Sequence, residues 1–185
     1  TNVAKQRGVG LVEVLIAMVV VSFGVLGLAG MQLTGMKHST GGYNRSKALL
    51  YAENTVARMR LNPIAADAGN YDGFDSASDV SCATKPTNYC QTHPGSGGVV
   101  AADSCTPAQM ALFDLFTLAC GSWSSNGKAV NGLIAELGAG NGRLEIECDD
   151  SPCTVDSYYT VEVTWSENTG MQADESVTTP KRVQV

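Results

Sequence analysis

The longest apolar stretch of the chain runs from residue 9 to residue 33, and Glu13 is its only charged residue. About 20 consecutive apolar residues suffice to cross the hydrocarbon core of a bilayer, which is ~30 Å thick. Apolar positions then recur at an approximately helical spacing as far as Leu61, and Pro63 disfavours further helix. The pattern predicts one long helix over about residues 9–61.

This helix should have an apolar membrane half, residues 9–33, and an amphipathic half, residues 34–62. The three glycines at positions 24, 27 and 30 weaken the first half, or let another helix approach closely. From the end of the membrane half onward, one apolar face of the helix is expected to contact the rest of the protein. Its members are Leu33, Met36, Tyr43, Leu50, Val56 and Met59.

Residues 63–185 are predicted to form a head of mixed structure. Thr106-Pro107-Ala108-Gln109 is a capping-box sequence, so a helix should run from Pro107 to about Ala119. Strict alternation in residues 143–147 and 159–165 predicts strands. We also expect a last strand at 181–185, one or two helical turns within 129–137, and loops over 62–106. The fold class is α+β, a long helix packed on a small antiparallel sheet.

The charges divide the chain into a basic stem and an acidic head. Residues 34–62 carry five basic residues and one acidic residue, a net charge of +4, whereas residues 63–185 carry five basic and sixteen acidic residues, a net charge of -11. An acidic head argues against binding nucleic acid, because phosphate neutralisation needs a basic surface. Stem-to-head attraction between neighbouring copies is compatible with this polarity.

All six cysteines lie beyond the apolar segment, and their even number predicts disulfides in an oxidising compartment. They are Cys82, Cys90, Cys105, Cys120, Cys148 and Cys153. Six cysteines allow fifteen complete pairings. Short loops favour Cys82–Cys90 and Cys148–Cys153, which leaves Cys105–Cys120.

We find no residue pattern typical of catalysis or of a cofactor site. Cys82, Cys90 and His93 lack the spacing of a standard zinc site, and disulfides explain the cysteines better. An acidic loop offers carboxylates of the kind that bind calcium, but it does not have EF-hand spacing, so a solvated loop is the expected structure. Its members are Asp67, Asp72, Asp75 and Asp79.

The order of elements at the N-terminus is unlike that of an ordinary secretory signal, in which the apolar region precedes the cleavage site. Here a short basic leader, residues 1–8, precedes the apolar stretch, and Glu13 follows Gly8 by five positions. The basic residues favour a cytoplasmic N-terminus and an outward C-terminus. An acid in such a segment is costly, and it is expected to be functional and paired with a cation.

In these residues the chain resembles the type IV pilin superfamily. The resemblance implies that prepilin peptidase cleaves after Gly8 and methylates the new N-terminus at Val9, and that Glu13 pairs with the N-terminal amine of a neighbouring subunit. Three blocks are similar to PilV-type minor pilins: the tract Ile16–Gln32, Arg58–Pro63 and Cys105–Gln109. Val9-Gly10 departs from the commoner Phe-Thr, and residues 122–142 match the family poorly.

The resemblance implies a type IV pilin-like fold and a non-catalytic subunit without cofactor or metal. Its partners would be other minor pilins, the major pilin, prepilin peptidase and a tip adhesin of the PilY type. It would reside in the inner membrane with a periplasmic head, and then at the tip of an extracellular pilus. Two alternatives remain: a minor pseudopilin of a type II secretion system, and a binding module in which the acidic head is itself an adhesin.

Overall fold

The computed structural model describes residues 10–95, 97–137, 140–167, 175–176 and 179–184. The helices are α1 (Leu11–Leu61), α2 (Pro63–Asp67), α3 (Pro107–Cys120) and α4 (Leu133–Glu136). The strands are β1 (Phe74–Asp75), β2 (His93–Gly95), β3 (Gly98–Val100), β4 (Gly121–Trp123), β5 (Ala129–Asn131), β6 (Arg143–Cys148), β7 (Tyr158–Thr164), β8 (Ser166–Glu167), β9 (Glu175–Ser176) and β10 (Thr179–Gln184).

The chain divides into two compact units, residues 1–42 and residues 43–185. The first contains the apolar part of α1. The second, the head, contains the rest of α1 and an antiparallel sheet in the order β1-β6-β7-β10. This long helix with small antiparallel sheets is the predicted α+β, type IV pilin-like fold. The three other strand pairs are β2-β3, β4-β5 and β8-β9.

The alternation that predicted β6 and β7 corresponds to their burial. Leu144 and Ile146 of β6, with Tyr159, Val161 and Val163 of β7, point into the core, and the intervening residues do not. β10 begins two residues earlier than predicted, at Thr179, and pairs with β7 along its length. Val185 lies outside the described residues.

The face of α1 that enters the head core differs from the predicted one. Val56 and Met59 are buried as expected, but Tyr43 and Leu50 are 58% and 64% exposed. The fully buried positions on the preceding turns are Ala48 and Ala52. These positions follow the spacing of one helix face, and their methyl side chains allow the helix backbone to lie close to its neighbours. The prediction placed the large residues Tyr43 and Leu50 in the core, whereas the small residues Ala48 and Ala52 are buried there.

Two other segments correct the predictions. Pro63 does not begin a loop but lies in the first turn of α2. Proline is tolerated there because the backbone N–H that it lacks would have no hydrogen-bond acceptor within the helix. Residues 129–131 form a strand rather than a helix, and only 133–136 are helical. β5 lies so close to Gly121 that a side chain there would collide with the carbonyl of Val130.

The disulfides are Cys82–Cys120, Cys90–Cys105 and Cys148–Cys153. The expected pairings Cys82–Cys90 and Cys105–Cys120 are therefore wrong. The prediction relied on short sequence separation between bonded cysteines. In the structure, α3 brings Cys120 back to the segment that follows β1, and the β2–β3 hairpin brings Cys105 close to Cys90. The three-dimensional path of the chain, rather than sequence separation, determines two of the three bonds.

Asp75 joins the edge strand β1 to β6 through Arg143. The guanidinium donates from Nε to Asp75 Oδ1 at 2.9 Å and from Nη2 to Oδ2 at 2.6 Å. This bidentate contact holds the pKa of the Asp75 carboxyl at about 2, below its ordinary value.

Changing Asp75 to Asn should lower the melting temperature at pH 7. The difference from the unaltered chain should shrink as the pH falls from about 4 towards 2, because a lowered pKa stabilises the fold above the unfolded pKa of ~3.9 and protonation removes that stability. Thermal unfolding followed by circular dichroism at pH 7, 4 and 2 measures this. Asp156→Asn, which alters an exposed acid, is the control. A difference that stays constant down to pH 2 would contradict the assignment.

Candidate assembly site on the N-terminal helix

Glu13 lies in the first turn of α1. Its backbone N–H donates to the Gly10 carbonyl at 3.0 Å, and that of Val14 donates to the same oxygen at 3.3 Å, so the helix begins directly after Gly10. A carboxylate here is favoured by the positive end of the helix dipole. Gly8 and Val9, the predicted processing residues, lie outside the described residues.

The Glu13 carboxylate has no hydrogen bond or ion pair to any residue that the structure describes. It borders a shallow trough of about 480 Å³ along one face of the helix, whose other members are Val14, Ala17, Met18, Val21 and Ser22. Every residue from 11 to 36 is exposed. A carboxylate in an apolar environment is costly unless a cation pairs with it. Glu13 is therefore a candidate for pairing with a cation that lies outside the described residues.

Three hydroxyl side chains of this helix segment form hydrogen bonds within the helix. The hydroxyls of Ser22, Thr34 and Thr40 donate to the carbonyls of Met18, Gly30 and Met36, each four residues earlier. Such back-bonding removes polar groups from an apolar surrounding. By length and composition, Leu11–Leu61 is the one helix in the described part of the chain able to cross a membrane.

The glycines of the apolar segment have no packing role within the described chain. A Cβ added at Gly24, Gly27 or Gly30 would meet no atom within 4 Å. A requirement for a small residue at these positions would come from another molecule or from a need for a weaker helix.

Two polar clusters hold the C-terminal part of α1 within the head. In both, side chains of α1 contact residues far along the chain, and neither cluster was predicted from the sequence. In the first, Lys47 Nζ lies 2.9 Å from Glu136 Oε2, and the Tyr51 hydroxyl donates to the same oxygen at 3.1 Å. Burial and the Glu136 carboxylate raise the pKa of Tyr51 to about 12. The Lys47 ammonium lowers the pKa of Glu136.

The second cluster centres on Asp114, a buried carboxylate of α3. Arg58 Nη1 lies 2.8 Å from Asp114 Oδ1 and the Tyr71 hydroxyl donates to Oδ2 at 3.1 Å. Asn62 Nδ2 donates to the Pro107 carbonyl at 2.8 Å, beside the capping box that Thr106 forms as predicted. Two of the blocks that carried the family resemblance, at 58–63 and 105–109, therefore meet in the fold.

Replacing Arg58 by Ala should lower the free energy of unfolding by about 2 kcal/mol, because the Asp114 carboxylate would stay buried without its cation. The partial exposure of Arg58 keeps the loss below that of a fully buried pair. Urea unfolding of the full chain in detergent measures it. Arg60→Ala, an exposed arginine two residues away, should change stability by less than about 0.5 kcal/mol. Equal losses in the two variants would refute the role of the ion pair.

The acidic loop that could have held calcium is occupied by internal contacts. Asp72 Oδ1 accepts the N–H of Cys148 at 2.8 Å, and Asp79 Oδ2 accepts that of Asp75 at 2.7 Å. Three potential metal ligands converge at Asp72, Cys148 and Cys153. Since the two cysteines form a disulfide, their sulfurs are not available as thiolates.

Comparison with protein-family models gave two matches. A model described as type IV pilin Tt1218 matches residues 30–116, and one described as a prokaryotic N-terminal methylation motif matches residues 3–29. The second covers Gly8, Val9 and Glu13. Searches of curated proteins and of solved structures gave no match.

Proposed function

We propose that this chain, whose residues 30–116 match a type IV pilin model and whose residues 3–29 match a methylation-motif model, is a minor pilin of the PilV type. In this role it is a non-catalytic subunit that primes pilus assembly within a tip complex and supports adhesion and twitching motility. The observation that carries the assembly role is the Glu13 carboxylate, which is exposed on an apolar helix without a partner among the described residues.

Processing supplies the missing cation. Cleavage after Gly8 would create an amine at Val9, and methylation leaves that amine positively charged. The methylation-motif match over residues 3–29 supports this step. Within a fibre, the amine of one subunit and Glu13 of its neighbour would each remove the other's desolvation cost, and the pairing would fix the axial register between subunits.

The partners follow from this role. Before assembly the apolar helix would hold the subunit in the inner membrane, with the head in the periplasm and prepilin peptidase acting on the leader. After assembly the subunit would contact other minor pilins, the major pilin and a PilY-type adhesin at the tip. The assignment to the minor class rests on the resemblance of residues 58–63 and 105–109 to PilV-type minor pilins.

A clean deletion of the gene tests the proposal. We expect surface pili to be abolished or sharply reduced while the amount of major pilin in the membrane is unchanged, and complementation to restore them. Electron microscopy and an immunoblot of the sheared fraction are the measurements. Normal piliation would refute the minor-pilin role. Normal piliation with a loss of exoprotein secretion would instead identify a type II pseudopilin.

A further inference from the structure

A second feature of the head is an open groove with a volume of about 470 Å³ between the β2–β3 hairpin and β4. Lys85, His93, Val100 and Trp123 line it, together with the glycines at 97 and 98. The glycines leave backbone groups accessible at one wall. Neither the assembly role nor the helix contacts described above involve these residues.

His93, one of the residues that line the groove, belongs to a packed aromatic cluster. The buried Tyr89 ring lies 4.4 Å from the ring of His93 and 4.8 Å, edge-on, from Phe113. The Tyr89 hydroxyl accepts the backbone N–H of Trp123 at 2.8 Å. The indole of Trp123 is only partly buried, so part of this aromatic side chain borders the groove.

Disulfides brace the segments that carry the three polar or aromatic groove residues. Lys85, His93 and Trp123 each lie three positions after a bonded cysteine, namely Cys82, Cys90 and Cys120. Two crosslinks therefore fix these segments close to their side chains. A binding site whose supporting residues are held in place loses less entropy when a ligand binds.

Lys85 is a cation without a carboxylate partner in the described part of the chain. Its Nζ lies 3.2 Å from His93 Nε2 and 5.8 Å from the centre of the Tyr89 ring. His93 Nδ1 lies 3.3 Å from the Gln91 carbonyl, which fits the tautomer with Nδ1 protonated and Nε2 accepting from Lys85. Lys85 then keeps two N–H groups for a ligand. Residues 63–185 have a net charge of -11, and a cation placed at a groove in this part of the chain favours an anionic ligand.

We propose that this groove binds an acidic saccharide. A sugar carboxylate would accept from Lys85 Nζ, the C–H face of the ring would lie on Trp123, and sugar hydroxyls would contact backbone groups at the glycine wall. Charge-assisted hydrogen bonds supply orientation and an aromatic surface supplies contact area, which is the usual composition of a small-molecule site. His93 is a positioning residue that holds Lys85.

The open shape favours a sugar over an extended peptide. β3 already pairs with β2 at this site, and Val99, the residue that follows the glycine wall, is exposed. A peptide C-terminus would satisfy Lys85 but would leave the surface of Trp123 without a specific role. This proposal does not depend on the minor-pilin role, because the groove lies wholly within the head.

The full chain in detergent micelles, titrated by calorimetry with a galacturonate trisaccharide and with its uncharged methyl ester, tests the site. We expect saturable binding of the acid form and at least tenfold weaker binding of the ester. Lys85→Gln should weaken binding of the acid by tenfold or more and remove the difference between the two ligands. Lys128→Gln removes the same charge from an exposed position of the head outside the groove and should change little.

Folding of each variant is checked by its near-ultraviolet circular dichroism spectrum and melting temperature. Absence of saturable binding up to about 10 mM, equal binding of acid and ester, or equal effects of the two lysine variants would each overturn the proposal. Lys85-dependent binding of a peptide C-terminus that is tighter than that of the trisaccharide would overturn the saccharide assignment. None of these binding results bears on the loss of pili expected in the deletion strain. The saccharide proposal and the minor-pilin proposal can therefore fail independently.

Discussion

A subunit carrying Glu13→Ala should insert into the membrane and lose its leader, but it should be absent from sheared pili. The carboxylate lies on a helix whose residues 11–36 are all exposed and, apart from Glu13 itself, almost wholly apolar. Removing it would leave the amine of a neighbouring subunit unpaired in an apolar fibre. Loss of one partner from a buried ion pair costs roughly 3–5 kcal/mol, which corresponds to a hundredfold or greater loss of incorporation.

Three further variants separate charge from shape. Glu13→Gln keeps the size without the charge and should fail in the same way, whereas Glu13→Asp should retain part of the function. Ser22→Ala lies in the same trough, and because the Ser22 hydroxyl donates to the Met18 carbonyl of its own helix, incorporation should be normal. Immunoblots of membrane and sheared fractions, with mass spectrometry of the N-terminus, measure insertion, cleavage and incorporation. Incorporation of the alanine variant at the normal level would contradict the pairing.

Replacing Cys82 and Cys120 together by Ala should lower the free energy of unfolding of the head by about 4 kcal/mol. The bond closes a loop over a sequence separation of 38 residues, and the chain-entropy model gives that magnitude for such a loop. Replacing Cys90 and Cys105, whose sequence separation is 15, should lower the free energy of unfolding by about 3 kcal/mol. Replacing Cys148 and Cys153, whose separation is 5, should lower it by about 2 kcal/mol. Urea unfolding of the three double variants without reductant measures these losses in free energy, and we expect them in this order.

The same variant tests the pairing itself. If Cys82 bonds to Cys120, the double alanine variant contains no free thiol, because the remaining four cysteines stay paired. If the pairings were instead Cys82–Cys90 and Cys105–Cys120, the variant would expose two thiols. Because those two thiols could also bond to each other, thiol titration of the denatured, unreduced variant is combined with mass spectrometry of the disulfide-linked peptides of the unaltered chain. A result of two thiols per chain would refute the described connectivity.

Local patterns in the sequence predicted the elements whose structure depends on near neighbours. The capping box at Thr106 starts α3 because its partners are only three residues apart, and the alternation in 143–147 gives β6 its buried face. Glu13 is predicted as a candidate assembly residue from its isolation among apolar residues and its distance from Gly8. Each of these signals is contained within about ten residues.

Features that depend on distant parts of the chain could not be predicted. Leu50 fits an apolar face as well as Ala52 does, and only the proximity of the head selects the alanine for burial. The bond between Cys82 and Cys120 requires α3 to bring its end back across the head. The groove at Lys85 and Trp123 unites residues 38 positions apart, and each of them alone gives no signal of a shared site.

The crosslinks around the β2–β3 hairpin are nested, since Cys90–Cys105 lies inside the span closed by Cys82–Cys120. A protease that cuts the chain once, at any peptide bond between residues 82 and 120, therefore leaves both fragments covalently attached. Such a nicked subunit would migrate as one chain in a denaturing gel without reductant and as two fragments with it. Cleavage in the β2–β3 hairpin therefore would not detach the C-terminal part of the chain.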